Sequence, residues 1–422
     1  MLDPAFIRRH PEAVKNAITN KRTGDPSIVD LVLKQDAAWR AALTELQEAQ
    51  SKSNTLARRV GELMREGKKA EAQTAINETA ELKTRAKELE ARVREAEAEL
   101  GSSLMEIPNI PHESVPIGST PADNKVEYEH GELPVFNFDA KAHWDLDVTA
   151  NHVDFERGSK VTGAGFPFYV GPAAKLQRSL VAYFLDVAVA RGYTELQAPA
   201  VVNEESVRGT GQLPDKEDQM YTAPRDGLYL VPTAEVPVTN FHRDEILTQL
   251  PLKYAAYTPC FRREAGSYGK EVRGLNRLHQ FDKVELVQFT EPQKSYEALE
   301  SLREDAEHLL RQLRLPYRRL LMCTGDMGFT QAKKYDLEIY SAGQARWLEV
   351  SSVSNFEAFQ SRRMTIRTRS EDGTLTFVHT LNGSGLALPR IVAGLLENGQ
   401  QSDGSVKLPD VLVPYFGSDT FR

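Results

Sequence analysis

The stretch FRREAGSYGKEVRGLNRLHQFDKVEL, residues 261–286, places Arg262, Arg263, Glu264, Arg273, Arg277 and Glu285 within two strand-like runs and the loop between them. YTPCFRREAG reads as a strand entering a turn at Gly266 and Gly269, and RLHQFDKVELVQF as the returning strand. Side chains two apart on a strand share a face. Arg262 and Glu264 therefore point one way, and Arg277, His279, Phe281, Lys283 and Glu285 share a face on the return. Such a face is not apolar core, because isolated buried charges are costly. A solvated face with cross-strand ion pairs is one reading, but it leaves Phe281 in water. The other is a polyanion site: arginine for phosphate, an aromatic ring for a base, a carboxylate for an amine.

The sequence around this hairpin sets the fold class. LYLVPT, LKYAAYTPCF, KVELVQFT and RWLEVSSVSNF are β-branched and aromatic runs. Helical stretches such as AAKLQRSLVAYFLDVAVARG and EPQKSYEALESLREDAEHLLRQL separate them. Few strand–helix–strand alternations occur, which predicts a mixed, mainly antiparallel β-sheet flanked by helices, an α+β domain. Neither G-x-G-x-x-G nor G-x-x-x-x-G-K-[ST] occurs, so a nucleotide bound here sits without a Rossmann or P-loop cradle.

Three more stretches share the polar character of the hairpin. LVPTAEVPVTN carries Thr233 and Glu235 after a strand. WLEVSSVSNFEAFQSRR carries Glu349 and Ser352, a carboxylate and a hydroxyl that can share a hard cation such as Mg2+. HTLNGSGLALPRIVAGLLENGQ reads as a Gly-rich turn with Ser384, then Arg390 near the start of an apolar helix, a combination that suits an anion.

Residues 29–100 follow another regime, rich in Ala, Glu, Lys, Arg and Leu. Ala75, Thr79, Leu82, Ala86, Leu89, Val93, Ala96 and Leu100 recur at spacings of four and three, a heptad seam. Trp39, Leu43 and Leu46 keep the rhythm, and it resumes at Val60 and Leu63. Gly67, in MREGKKAEA, suits a left-handed helix stop. The pattern predicts two long helices folded back into an antiparallel coiled-coil arm. Lys52, Arg58, Arg59, Arg65, Lys68 and Lys69 against Glu62 and Glu66 give the segment a local net charge of +4. That cluster is either a solvated helix face or a phosphate-backbone contact. Pro108, Pro111, Pro116 and Pro121 mark an extended linker. The expected domains are 1–105, a linker over 106–125, and 126–422.

With 422 residues the chain accommodates two domains. A net charge of −8 argues against broad, non-specific nucleic-acid binding and leaves local charge to decide. No apolar run has the length to cross a bilayer, and MLDPAFIRRHPEAVKNA lacks a signal-peptide stretch. The two cysteines, Cys260 and Cys323, have no metal-site spacing and read as packing residues, which fits a reducing cytoplasm.

FRREAG…RLHQFDKVE and GLALPR resemble motifs 2 and 3 of the class II aminoacyl-tRNA synthetases. Residues 163–202, with Pro199 at the proline position, resemble motif 1. More narrowly, TGQLP, PTAEVPVTN, FRREAGSYG, RLHQFDKVE, the Glu349–Gln360 run and TLNGSGLA are similar to seryl-tRNA synthetases, and the arm extends the likeness over essentially the whole chain. The tail VPYFGSDTFR looks short against the usual family ending. The resemblance implies a serine–tRNA ligase that makes seryl-adenylate from L-serine and ATP and charges tRNA(Ser), and tRNA(Sec) where that tRNA exists. It implies a cytoplasmic homodimer that uses Mg2+ and no membrane.

The resemblance also implies roles. Arg262 holds the α-phosphate and the serine carboxylate, and Arg390 is the second catalytic cation, near the γ-phosphate. Glu264 reads the adenine amine, and Phe281 stacks on adenine with Arg390 on its other side. Arg263, Arg277, Val350 and Ser351 complete the ATP contacts, and Glu349 and Ser352 ligate Mg2+. Thr233, Ala234, Glu235, Glu285 and Ser384 join Arg262 in the serine pocket. The basic residues of the arm contact tRNA. The chemistry accords with these roles, because a carboxylate attacking an anionic phosphate needs fixed cations rather than a base. His279 accordingly reads as structural. The alternatives are a carrier-protein ligase of the same fold, an inactive binding relative and a coiled-coil adaptor. The arm opposes the first, the retained Arg262, Glu264, Glu349 and Arg390 the second, and the large polar-lined second domain the third.

Overall fold

Two long helices, α1 (Ile28–Arg65) and α2 (Lys69–Met105), form the arm. Their 38 and 37 residues correspond to roughly 55 Å of helix each. Ala42, Leu46 and Ala49 of α1 pack against Ala86, Leu89 and Val93 of α2, and Leu63 meets Ala72 and Ala75 near the turn. Most of these side chains are small, so the seam is thin, and Leu82 and Ala96 are only half-buried. Gly67 adopts φ 75°, and the Lys68 amide donates to the Leu63 carbonyl at 3.0 Å. That left-handed stop turns the chain back on itself. The computed structural model describes residues 1–214, 218–264 and 273–422, and the turn expected at Gly266 and Gly269 lies outside them. The chain forms two compact units, Met1–Pro108 and Asn109–Arg422.

The second unit is built on eight strands: β1 (Lys125–His130), β2 (Thr194–Leu196), β3 (Leu252–Phe261), β4 (Gln280–Thr290), β5 (Tyr317–Leu321), β6 (Lys333–Ser341), β7 (Arg346–Glu357) and β8 (His379–Ala387). They lie in the order β1-β5-β6-β7-β8-β4-β3-β2. Every pairing is antiparallel except β2 with β3. Helices α3 (Pro172–Ala190), α4 (Ser295–Gln312) and α5 (Leu388–Asn398) pack on this sheet. Leu176, Leu180, Leu302, Ile391 and Leu395 bury with Val284, Leu286, Leu337, Ile339 and Val353 in the main core. Because side chains alternate, β4 gives Val284 and Leu286 to this core and turns Phe281, Lys283 and Glu285 to the opposite face. The proline-rich residues 109–124 are held onto the second unit. Asn109 Nδ2 donates to the Thr330 and Phe356 carbonyls, and the Thr324 amide donates to the Pro116 carbonyl.

Two expectations are corrected here. The Gly-rich segment around Ser384 is strand β8, not a turn. Its glycines let neighbours pack close, since a Cβ on Gly383 would sit 3.3 Å from Leu302 and Val353, and one on Gly385 3.3 Å from Leu286 and Val284. The alternation assumed for the return strand also fails at His279. Pairing begins at Gln280, and the His279 ring stacks on Phe166 with Nδ1 2.7 Å from Tyr221 Oη. Among the described residues no helix is long and apolar enough to cross a membrane.

Candidate active site

The polar face of the sheet opens into a cleft of about 640 Å³, within the range of small-molecule sites. Thr233, Glu235, Arg262, Glu264, Arg277, Phe281, Glu285, Glu349, Val350, Ser351, Ser352, Ser384 and Arg390 all line it. Two expected site residues do not. The Ala234 side chain is fully buried in a secondary core with Val238 and Phe289. Arg263 turns outward to Asp218, 3.2 Å away. Val350 and Ser351 border the cleft with buried side chains, and Ser351 Oγ donates to the Ser384 carbonyl at 2.8 Å.

One end of the cleft is a buried polar pocket. Glu285 on β4 stands directly opposite Ser384 on β8. The register shifts between Glu285 and Lys283, which pairs with Ala387, at a bulge that holds Leu386 at φ 100°; such bulges re-aim side chains beside functional sites. Glu285 Oε2 takes a hydrogen bond from Thr233 Oγ1 at 3.2 Å and an ion pair from Lys283 Nζ at 2.6 Å. Glu235 opens a short helix, Glu235–Asn240, and its carboxylate accepts from Gln360 Nε2 at 2.7 Å. Thr380 Oγ1 donates to Gln360 Oε1, which fixes the amide's orientation. Burial, then the Glu285 charge, pushes the Glu235 carboxyl up to about 7. The pocket thus offers two carboxylates and two hydroxyls to a small ammonium or hydroxyl group.

The other end is cationic. The Arg262 guanidinium lies over the Phe281 ring at 5.3 Å, and its Nε donates to the Pro232 carbonyl. Arg277 pairs with Glu264 at 2.8 Å. Arg390 is held from two sides, with Nε to the Asn276 carbonyl at 2.9 Å and Nη1 to the Glu349 carbonyl at 2.6 Å. Of the cleft cations, Arg262 is the one that lies over Phe281 here. Phe281 supplies a flat apolar surface between charges, which suits a purine.

Glu349 and Ser352 project from β7 into the same cleft, and Ser352 Oγ donates to Glu349 Oε1 at 3.1 Å. Desolvation would raise the Glu349 carboxyl, but Lys334 and Arg390 outweigh it and hold it below its ordinary value. An ionised carboxylate beside a hydroxyl is an oxygen donor set that fits Mg2+. Among the described residues no group of three His, Cys, Asp or Glu gathers; a Mg2+ ion held here would take further ligands from phosphate oxygens and water, as Mg2+ commonly does.

Sequence reading missed several contributors. Lys283 shares the period-2 face of Glu285 and could have been assigned to the pocket on that signal. Gln360 and Asn276 carried none, because their partners come from distant segments, and Lys334, whose charge reaches Glu349 on β7, carried none either.

A mainly antiparallel sheet carrying an arginine, an aromatic ring and a carboxylate on one hairpin, with a further arginine on the strand–helix unit beside it, is the arrangement of a class II aminoacyl-tRNA synthetase domain. The family model of the tRNA synthetase class II core domain (G, H, P, S and T) matches residues 221–399, and that of the seryl-tRNA synthetase N-terminal domain matches residues 1–111. The chain is 59% identical over 420 residues to the serine–tRNA ligase of Salinibacter ruber, covering 99% of this chain and 98% of that protein. It is 49% identical over 421 residues to the serine–tRNA ligase of Thermotoga maritima, covering 99% of each. Its fold superposes on the seryl-tRNA synthetase from Pyrococcus horikoshii complexed with ATP with a TM-score of 0.92, at 35% identity, covering 100% of this chain and 99% of that one. The chain belongs to the seryl-tRNA synthetase family.

Proposed function

We propose that this chain is a serine–tRNA ligase, which condenses L-serine with ATP to seryl-adenylate and transfers the seryl group to the 3′ end of tRNA(Ser), with tRNA(Sec) as a second acceptor. The observation that carries this reading is the two-ended cleft. The polar pocket of Thr233, Glu235, Glu285 and Ser384 adjoins the cationic face of Arg262, Arg277 and Arg390. The serine ammonium and hydroxyl sit in the pocket. Its carboxylate reaches Arg262, which also neutralises the α-phosphate. A carboxylate oxygen bonds to the α-phosphorus as the bond to pyrophosphate breaks, and no proton moves. Arg262 and Arg390 stabilise charge on the phosphoryl oxygens and on the leaving pyrophosphate. Glu349 and Ser352 would hold Mg2+, which supplies further neutralisation of the phosphates when bound. In the second step a terminal ribose hydroxyl attacks the adenylate carbonyl. AMP leaves, and its phosphate is positioned to take the hydroxyl proton.

Glu264 reads the adenine amine in this scheme, Phe281 stacks on the ring, and Val350 and Ser351 frame the nucleotide, while Arg263 faces away toward Asp218. Ala234 contributes through the backbone of its loop. Lys52, Arg58, Arg59, Arg65, Lys68 and Lys69 bind the tRNA backbone, where shape and charge dominate RNA recognition. In this reading residues 1–105 bind tRNA, 106–125 connect, 126–422 catalyse, and the enzyme works as a cytoplasmic homodimer. Serine-dependent ATP–pyrophosphate exchange, then charging of purified tRNA species, tests the proposal. Exchange that does not depend on serine, or adenylate formation without tRNA charging, overturns it.

A further inference from the structure

We infer that His143, tied to Glu397, positions Arg390 and Arg277 for ATP by fixing the backbone of Leu275 and Asn276, an inference that rests on the adenylation reading of the cleft. His143 Nε2 accepts the Leu275 N–H at 2.8 Å, so the ring proton lies on Nδ1, which donates to Glu397 Oε1 at 2.7 Å. Both side chains are fully buried. Glu397 lies on α5, the helix that carries Arg390. It also accepts from the His143 amide, Ser341 Oγ, the Gly343 and Gln344 amides and Gln344 Nε2. So many donors on one buried carboxylate make a rigid anchor.

The anchor reaches the cleft by two short routes. Through His143 it holds Leu275, and the carbonyl of the next residue, Asn276, accepts from Arg390 Nε at 2.9 Å. Through Gln344 it holds the Asn276 side chain, since the two amides pair at 2.9 and 3.3 Å. Arg277 follows directly on Asn276. The chain on the other side of Leu275 is seated on the same segment, with the Arg273 guanidinium 4.9 Å from the Trp144 ring centroid and 3.2 Å from Asp145. Gly274 permits this seat, because at φ 63° a Cβ would lie 2.4 Å from His143 Nε2. Of these groups only Leu275, Asn276, Arg277 and Arg390 line the cleft, so His143 is a positioning residue rather than a catalytic one.

Serine-dependent ATP–pyrophosphate exchange by the full-length His143→Asn variant tests the inference. Asparagine can keep an N–H for Glu397 and removes the acceptor for Leu275. The KM for ATP is expected to rise about tenfold while the KM for serine stays within about twofold, as a misplaced arginine would cause. A merely structural role lowers the active fraction, and so kcat, with both KM values in place. That outcome, or an equal rise in both, overturns the inference. Asp145→Asn, at an exposed pair, decides the matter if His143→Asn does not fold. A rise of about two- to threefold in the ATP KM supports the inference, and an unchanged value overturns it. If the wild-type enzyme shows no serine-dependent exchange, the functional reading fails instead. Calorimetric ATP binding by wild type and variants then decides the positioning role, with equal affinities overturning it.

Discussion

Glu349 and Ser352 are three residues apart on β7, yet Ser352 Oγ donates to Glu349 Oε1 at 3.1 Å. A regular strand would send residues three apart to opposite faces. The cause is a bulge. Ser351 pairs with Leu337 and Glu349 with Glu338, which leaves Val350 as an extra residue without a partner on β6. One inserted residue thus brings the two oxygen donors onto the cleft side.

This relationship predicts unequal losses in the metal requirement. Ser352→Ala keeps the carboxylate, and the Mg2+ concentration for half-maximal pyrophosphate exchange should rise about tenfold. Glu349→Gln removes the charge and should cost about a hundredfold or more in the same titration. Equal effects would mean that the two donors do not share an ion.

Glu285 is expected to govern serine rather than ATP. Its partner Lys283 is buried, and truncation to alanine would leave that ammonium with neither a countercharge nor the hydrogen-bond acceptor that glutamine keeps, at a cost of about 3–5 kcal/mol in stability. Glu285→Gln is therefore the better probe. It should raise the serine KM about a hundredfold and leave the ATP KM within about threefold. Isothermal pyrophosphate-exchange kinetics with each substrate varied would check this, and comparable rises in both constants would show Glu285 to be misplaced.

The Glu235 carboxyl, pushed up to about 7 by burial and by Glu285, makes serine binding sensitive to pH. Below that value the group is protonated and offers the ammonium no charge. The wild-type serine KM should therefore fall roughly fivefold or more between about pH 6 and pH 8, and Glu235→Gln should flatten the profile. Stability moves the other way. Between the ordinary carboxyl value and about 7 the folded state binds more protons than the unfolded chain, so this group's contribution to stability is full at low pH and declines as pH rises through the window. Thermal melts at both ends of the window should show the variant gaining on wild type as pH rises.

If the basic cluster supplies the tRNA phosphate contacts proposed for it, deleting residues 30–100 should leave serine-dependent pyrophosphate exchange within about threefold and reduce tRNA charging by about a thousandfold or more. Reversing Arg58 and Arg59 to glutamate in the intact chain should weaken tRNA binding and reduce its salt dependence. Unchanged charging by the deletion variant would remove the arm from the tRNA-binding surface.

His279 provides a control for the electrostatic mechanism. Its ring packs on Phe166 and meets Tyr221 rather than facing the cleft. His279→Asn should keep single-turnover transfer of serine to tRNA within roughly tenfold, whereas a thousandfold loss would reveal a proton-transfer role.

Local pattern determined much of this protein. The seam at spacings of four and three marked α1 and α2, and Gly67 marked their turn, because helix periodicity and a left-handed stop are written in neighbouring residues. Period-2 alternation likewise put Phe281, Lys283 and Glu285 on one face of β4. Tertiary structure alone decided what a nearest-neighbour pattern cannot carry. The bulges at Val350 and Leu386 change which face a residue takes through the mismatch of two paired strands. The glycines of β8 follow from close packing against α4 and adjacent strands. His143 and Glu397, 254 residues apart, meet only because the sheet brings their segments together. Hydrogen bonds act over about 3 Å of space, whatever the separation along the chain, so the cations of the cleft were legible in the sequence and the groups that hold them were not.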